Sequence, residues 1–80
     1  MTRHRLVREI HRPGQDIVRD VSGTILAPDE IPEILHWEGA LHTAGGWHVR
    51  SWPGMVRAEK PGCVRWLYVR TSNAMEDTLT

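Results

Sequence analysis

The sequence predicts a small α+β domain, in which a mainly antiparallel sheet carries one helix packed on one face. Strand-like segments surround one stretch of helical periodicity, and the predicted order is β-β-α-β-β-β. Three Pro-Gly pairs fall between consecutive strand-like segments, where tight reversals are needed. The chain has 80 residues, which is one domain's length, so we expect a single domain at residues 1–71 and a flexible C-terminal tail at residues 72–80.

The first two predicted strands form a hairpin. RLVREIH (5–11) and DIVRDVSGTIL (16–26) are rich in β-branched residues, and residues 12–15 contain Pro and Gly at the central positions of a type II turn. Tight pairing would set Arg8 opposite Arg19, which is unfavourable for like charges. Either the loop is longer than a tight turn, or both arginines lie at an edge and meet an anion. Tight pairing would also place four apolar residues on one side: Leu6, Ile10, Ile17 and Val21.

The helix is predicted at about residues 29–44. Asp29 is a candidate N-cap, and Gly45-Gly46 is a strong stop signal. Trp37 lies off the main apolar stripe, so it is either a core residue of a wider stripe or an exposed anchor for a partner. The residues expected to form that stripe are Ile31, Ile34, Leu35 and Leu41.

Three short strands follow the helix, at residues 47–52, 55–59 and 63–70, with Pro-Gly turns between them. If both turns are tight, paired residue numbers sum to 107 across the first turn and to 123 across the second. Facing residues share one side of a sheet, so this register separates two sides. The side expected to support the helix contains one misfit, Arg65, among Trp47, Val49, Ser51, Val56, Ala58, Leu67 and Val69.

The other side of these strands mixes cations with aromatic rings and is the candidate interaction surface. Aromatic side chains stack on bases or fill partner pockets, and arginine binds phosphate or carboxylate. Arg50 would face Arg57, which is costly unless an anion relieves the repulsion. The alternative is that the first hairpin or a second subunit covers this side, and we expect a homodimer. The candidate partner-binding residues are Arg50, Trp52, Arg57, Trp66, Tyr68 and Arg70.

No motif in the sequence identifies a reaction or a family. We therefore expect a non-catalytic binding protein of the inhibitor or adaptor type that viruses and mobile elements encode, acting on a macromolecular partner. Residues 20–46 contain five acidic residues and no Lys or Arg, whereas residues 1–19 and 47–71 are basic. Because an acidic helix would repel phosphates, a protein partner is favoured. The alternative is a nucleic-acid-binding protein that uses the same basic sheet face.

A catalytic interpretation also exists. His48 would face Glu59 beside Arg50 and Arg57, and this is the composition of a metal-free ribonuclease toxin. An ordinary cross-strand His–Glu pair is the simpler interpretation, so we predict no catalytic residue.

Metal sites, cofactors and membrane partners are not expected. Cys63 is the only cysteine, which excludes an intramolecular disulfide and the usual thiolate zinc sites. The five histidines do not have metal-binding spacing. No apolar run is long enough to span a membrane, and the N-terminal residues are charged where a signal peptide is apolar, so we expect a cytoplasmic protein.

Overall fold

Residues 2–73 are described by a computed structural model, and they form one five-stranded antiparallel sheet and one helix. This confirms the predicted α+β class and element order. The strand order in the sheet is β2-β1-β5-β4-β3. The elements are β1 (Thr2–His11), β2 (Val18–Val21), a 3-10 turn (Pro28–Glu30), α1 (Ile31–Ala44), β3 (His48–Trp52), β4 (Met55–Lys60) and β5 (Cys63–Asn73).

The last strand extends beyond the predicted domain boundary at residue 71. β5 continues to Asn73, so the first two residues of the predicted C-terminal tail belong to the sheet. The rest of the predicted tail, residues 74–80, lies outside the described residues. Within residues 2–73, no helix combines the length and the apolar character needed to cross a membrane.

The Pro-Gly pairs reverse the chain as expected. Gly14, Gly54 and Gly62 have φ values of 71°, 79° and 80°, a region that glycine enters without steric cost. The hairpins β3–β4 and β4–β5 have two-residue connections, and their paired residue numbers sum to 107 and 123. Both predicted registers are therefore confirmed.

Of the two alternatives for the first hairpin, the longer loop is the one that forms. The turn at residues 12–15 is present, with the amide of Gln15 donating to the carbonyl of Arg12. Pairing resumes only at Val18, opposite Ile10, so β2 is shifted by one residue. Because side chains alternate along a strand, this shift moves Val21 to the other side of the sheet. Arg8 now faces Asp20 instead of Arg19.

The helix packs on β3, β4 and β5 through a core that was partly misassigned. Leu35 is buried, but Leu41 is 58% exposed and Trp37 is 60% exposed. The inward side of α1 instead contains Gly39, where an added Cβ would lie 3.7 Å from Cγ1 of Val49. The helix therefore packs against β3 at a residue without a side chain. The buried core cluster consists of Leu6, Leu26, Leu35, Val56 and Leu67.

The N-cap prediction is also wrong. A 3-10 turn precedes α1, and the carboxylate of Glu30, rather than that of Asp29, accepts a hydrogen bond from the amide of Ala27. The predicted stop at the other end is confirmed, since the Gly45 amide donates to the carbonyl of Leu41 and closes the last turn.

The misfit on the helix side, Arg65, is accommodated by a ring and a histidine. Its guanidinium carbon lies 4.5 Å from the centroid of the Trp47 ring. Its Nη1 is 3.4 Å from Nε2 of His42, on the inward side of α1. Stacking against an aromatic face lets arginine remain charged beside the core.

Candidate functional site

The side of the sheet turned away from α1, called the open face, carries several rows of side chains that run across the strands, and three of these rows contain the candidate residues. The strand registers place two complete rows side by side, about 6.8 Å apart. The central row is apolar and aromatic: Trp52, Met55, Tyr68, Val7 and Val21. The row on one side of it is charged: Arg50, Arg57, Trp66, Glu9 and Arg19. On the other side of the central row, Arg5 faces Arg70.

All six candidate residues from the sequence lie on this open face, because the predicted registers of β3, β4 and β5 hold. The Trp52 and Trp66 rings are stacked across β4, with centroids 6.5 Å apart and planes at 21°. The guanidinium carbon of Arg57 lies 5.5 Å from the centroid of the Trp66 ring. Trp52 is 47% exposed. The open face therefore presents an aromatic platform with a cation against it.

Two pairs of arginines face each other directly on this surface. Arg50 is opposite Arg57, as predicted, and the structure adds Arg5 opposite Arg70. Like charges directly opposite one another destabilise a sheet. Nη2 of Arg57 is 3.0 Å from a carboxylate oxygen of Glu59, which offsets part of one repulsion. Counting only partners within residues 2–73, the exposed side chains of Arg50 and Arg70 have no hydrogen bond or ion pair.

The charge is separated by the sheet itself. On the open face, the strands present six arginines against two carboxylates, Glu9 and Glu59. The acidic residues of the helical segment lie on the opposite side of the sheet, because α1 packs there. These residues are Asp29, Glu30, Glu33 and Glu38. A partner on the open face thus meets the basic surface without meeting the acidic helix.

Sequence reasoning missed Glu9, the most connected carboxylate of the open face. Glu9 is only 9% exposed. Oε2 accepts hydrogen bonds from the hydroxyl of Tyr68 and from Nε of Arg19, the latter at 3.1 Å. Nε2 of His11 lies 3.0 Å from Oε1. The sequence did contain one sign of this site, which was the repulsion between Arg8 and Arg19 in a tight hairpin. The longer loop removes that repulsion and places Arg19 opposite Glu9.

This network shifts two pKa values in opposite directions. The hydrogen bond from Tyr68 is the largest cause of a lowered pKa at Glu9, followed by the contact with His11. The same bond to a carboxylate, together with burial, raises the pKa of Tyr68. Glu9 is therefore ionised and Tyr68 neutral at pH 7. Their bond fixes the Tyr68 ring in the central row.

We expect Glu9→Gln to lower the free energy of unfolding at pH 7 by about 2 kcal/mol, since the hydrogen bonds lose their charged acceptor. A carboxyl whose pKa is lowered on folding adds stability above its unfolded pKa and loses it as the pH falls toward the folded value. The difference between wild type and variant should therefore shrink below about pH 4.5, the ordinary pKa of glutamate. Urea denaturation from neutral to acidic pH measures this.

Glu59→Gln is the matched control for that experiment. Its carboxylate is more exposed and pairs with Arg57 at the surface, where ion pairs contribute about 0–1 kcal/mol. An unfolding free energy of Glu9→Gln that runs parallel to that of wild type at every pH would contradict the role given to the Glu9 carboxylate.

The proposed ribonuclease set is only partly assembled. His48 does face Glu59 across β3 and β4. The Glu59 carboxylate, however, is held by Arg57 at 3.0 Å, and among the described residues it has no hydrogen bond to His48. The contact with Arg57 involves Oε2, one of the two carboxylate oxygens of Glu59.

Metal-binding groups are not assembled in the part of the chain that the structure describes. No cluster of three or more His, Cys, Asp or Glu side chains there could hold a metal ion. Cys63 is a partly exposed free thiol at the start of β5.

Searches of protein-family models, curated proteins and solved structures find no match to this chain.

Proposed function

We propose that this protein is a non-catalytic binding protein whose open face holds an anionic macromolecule. The observation that carries the proposal is the presence of two directly opposed arginine pairs, Arg50–Arg57 and Arg5–Arg70, on either side of the central row. An anion between Arg50 and Arg57 would convert their repulsion into charge-assisted contacts, and an anion beside Arg5 and Arg70 would give the exposed Arg70 a partner. Exposed tryptophan beside arginine is also the composition of binding hot spots.

The position of the helix supports an anionic partner more than composition did. The expectation of a protein partner depended on repulsion between phosphates and the acidic residues of the helical segment. That segment lies across the sheet from the open face, so the objection to a polyanion loses its force. An inhibitor or adaptor that binds an acidic protein surface fits the same charge pattern, and the experiments below separate the two partners.

We expect Arg50→Glu combined with Arg57→Glu to weaken binding to immobilised heparin, a generic polyanion, so that the variant elutes at much lower salt. The change replaces a cation pair with an anion pair at the charged row. The variant loses the contact of Arg57 with the Trp66 ring and its ion pair with Glu59, which at the surface contribute about 1 kcal/mol or less each, so we expect it to stay folded with a modestly lower melting temperature. Heparin chromatography and a thermal melt measure the two quantities.

Arg12→Glu is the matched control for that double variant. Arg12 is exposed in the turn between β1 and β2, away from both arginine pairs. Arg12→Glu should lower the salt concentration at elution by much less than the double variant does, also when the two shifts are compared per substituted arginine. Equal elution of the wild type and the double variant would remove the open face from the proposal.

A further inference from the structure

We infer that the macromolecule held on the open face is a single-stranded nucleic acid, with bases stacked on the Trp52–Trp66 platform and phosphates at the two arginine pairs. This inference depends on the binding function proposed above and names the partner class. Three features of the open face carry it: the exposed ring stack, the spacing of the cation pairs, and the position of α1 on the other side of the sheet.

The ring stack accounts for the bases. Single-strand binders present aromatic rings on which successive bases stack without sequence preference. Trp52 is 47% exposed and lies nearly parallel to Trp66, so a base can extend the stack from its outer ring. Tyr68 lies in the central row beside the two tryptophans and adds a third ring to the surface. Its hydroxyl donates a hydrogen bond to Glu9, which holds the ring in place. A ring fixed before binding loses little side-chain entropy when a base arrives.

The arginine pairs account for the phosphates. The two pairs are four residues apart along β5, which is about 14 Å, and two strand spacings apart across the sheet, which is about 10 Å. The central row, with Trp52 and Tyr68, lies between the two pairs. A strand that crosses this row would place its sugar-phosphate backbone near both pairs while its bases contact the rings. Arg50 and Arg70 have no partner within residues 2–73 and can both turn toward phosphates.

A duplex fits this surface less well than a single strand. Sequence-reading proteins insert a helix or a β-ribbon into a groove, and α1 lies on the far side of the sheet. A duplex also keeps the faces of its bases inside its own stack, where Trp52 and Trp66 cannot reach them. An acidic protein would satisfy the arginines, but it would leave the π-faces of the stacked rings without the flat partner that suits them.

The test is fluorescence anisotropy with labelled oligothymidine of about 12 nucleotides, a length within the site sizes of single-strand binders. The comparison probes are oligouridine of the same length, the corresponding duplex and polyglutamate of matched charge. We expect both single strands to bind, and both to bind more tightly than the duplex or polyglutamate. A preference between oligothymidine and oligouridine would tell whether the natural ligand is DNA or RNA.

Two tryptophan variants make the stacking claim specific. Trp52→Ala should weaken oligothymidine binding by about 5-fold to 150-fold, the range observed for loss of one base stack. Trp37→Ala is the matched control, because Trp37 is 60% exposed on the outer side of α1. It should bind as the wild type does. Equal affinities for all three proteins would overturn the stacking assignment.

The outcomes separate this inference from the function on which it depends. If polyglutamate or the duplex binds as tightly as the single strands, and binding still requires Arg50 and Arg57, the inference fails while the binding function stands. If no probe binds, including heparin, both fail. Sedimentation of the free protein tests whether a second copy of this chain occupies the open face. A dimer that dissociates in the Trp52→Ala variant would assign the face to that second copy and overturn the inference.

Discussion

We expect the affinity for oligothymidine to fall about 50-fold when the salt concentration rises from about 50 to about 200 mM. Each phosphate that an arginine neutralises releases condensed counterions, and the logarithm of the binding constant falls by about 0.7 per contact for each tenfold rise in salt. Four contacts, one for each member of the two arginine pairs, give a slope of about −2.8. Anisotropy titrations at four or five salt concentrations measure the slope directly.

One substitution in the arginine pairs tests whether those side chains produce the slope. Arg70→Ala should reduce its magnitude by about 0.7, because one phosphate contact is lost. Arg12→Ala should leave it unchanged, since Arg12 lies in the turn beyond β1. Binding that persists with a slope near zero would mean that apolar contacts hold the ligand without the arginines.

We expect Leu67→Ala to lower the free energy of unfolding by about 3 kcal/mol. Leu67 is 1% exposed at the centre of the sheet, on β5, between β1 and β4. Removing its side chain leaves a cavity against α1 that the surrounding strands cannot fill. A domain of this length has about 4–12 kcal/mol of total stability, so this variant loses a large part of it. The denaturant midpoint of wild type and variant gives the difference.

Leu41→Ala is the matched control for the core variant, and it also tests the corrected helix stripe. Leu41 was expected to face the sheet, but it is 58% exposed in the structure. Its loss should therefore cost no more than about 0.5 kcal/mol. A cost as large as that of Leu67→Ala would mean that Leu41 is buried in solution and that α1 is rotated about its axis relative to the structure.

The last three strands could be predicted almost completely from the sequence. A Pro-Gly pair with two-residue spacing leaves one register for a tight hairpin, and the register then fixes which side of the sheet each residue occupies. This is why the sequence alone places all six candidate residues, from Arg50 to Arg70, on one face. Local turn chemistry and strand alternation were sufficient there.

The first hairpin shows where local information ends. Its Pro-Gly turn forms as expected, but Asp16 and Ile17 lengthen the connection, and the register then depends on what the strands gain by pairing. The observed register joins Arg8 with Asp20 and Glu9 with Arg19, which removes a repulsion and creates the Glu9 network. Glu9 could be recognised only after β5 brought Tyr68 beside it, since the two residues are 59 positions apart.

By itself, the sequence determined the α+β class, the three reversals, the register of β3–β4–β5 and the placement of the six candidate residues on one face of these strands. Each of these follows from the conformational limits of Pro and Gly and from the two-residue period of a strand. The sequence also indicated which side of β3–β5 supports the helix, and α1 packs on that side. Only the tertiary structure decided the register of the first hairpin, which residues of the helix turn inward, and the network around Glu9. Those features depend on contacts between distant segments, such as the close approach of Gly39 to β3, and on the cost of leaving charges unpaired, which no local pattern encodes.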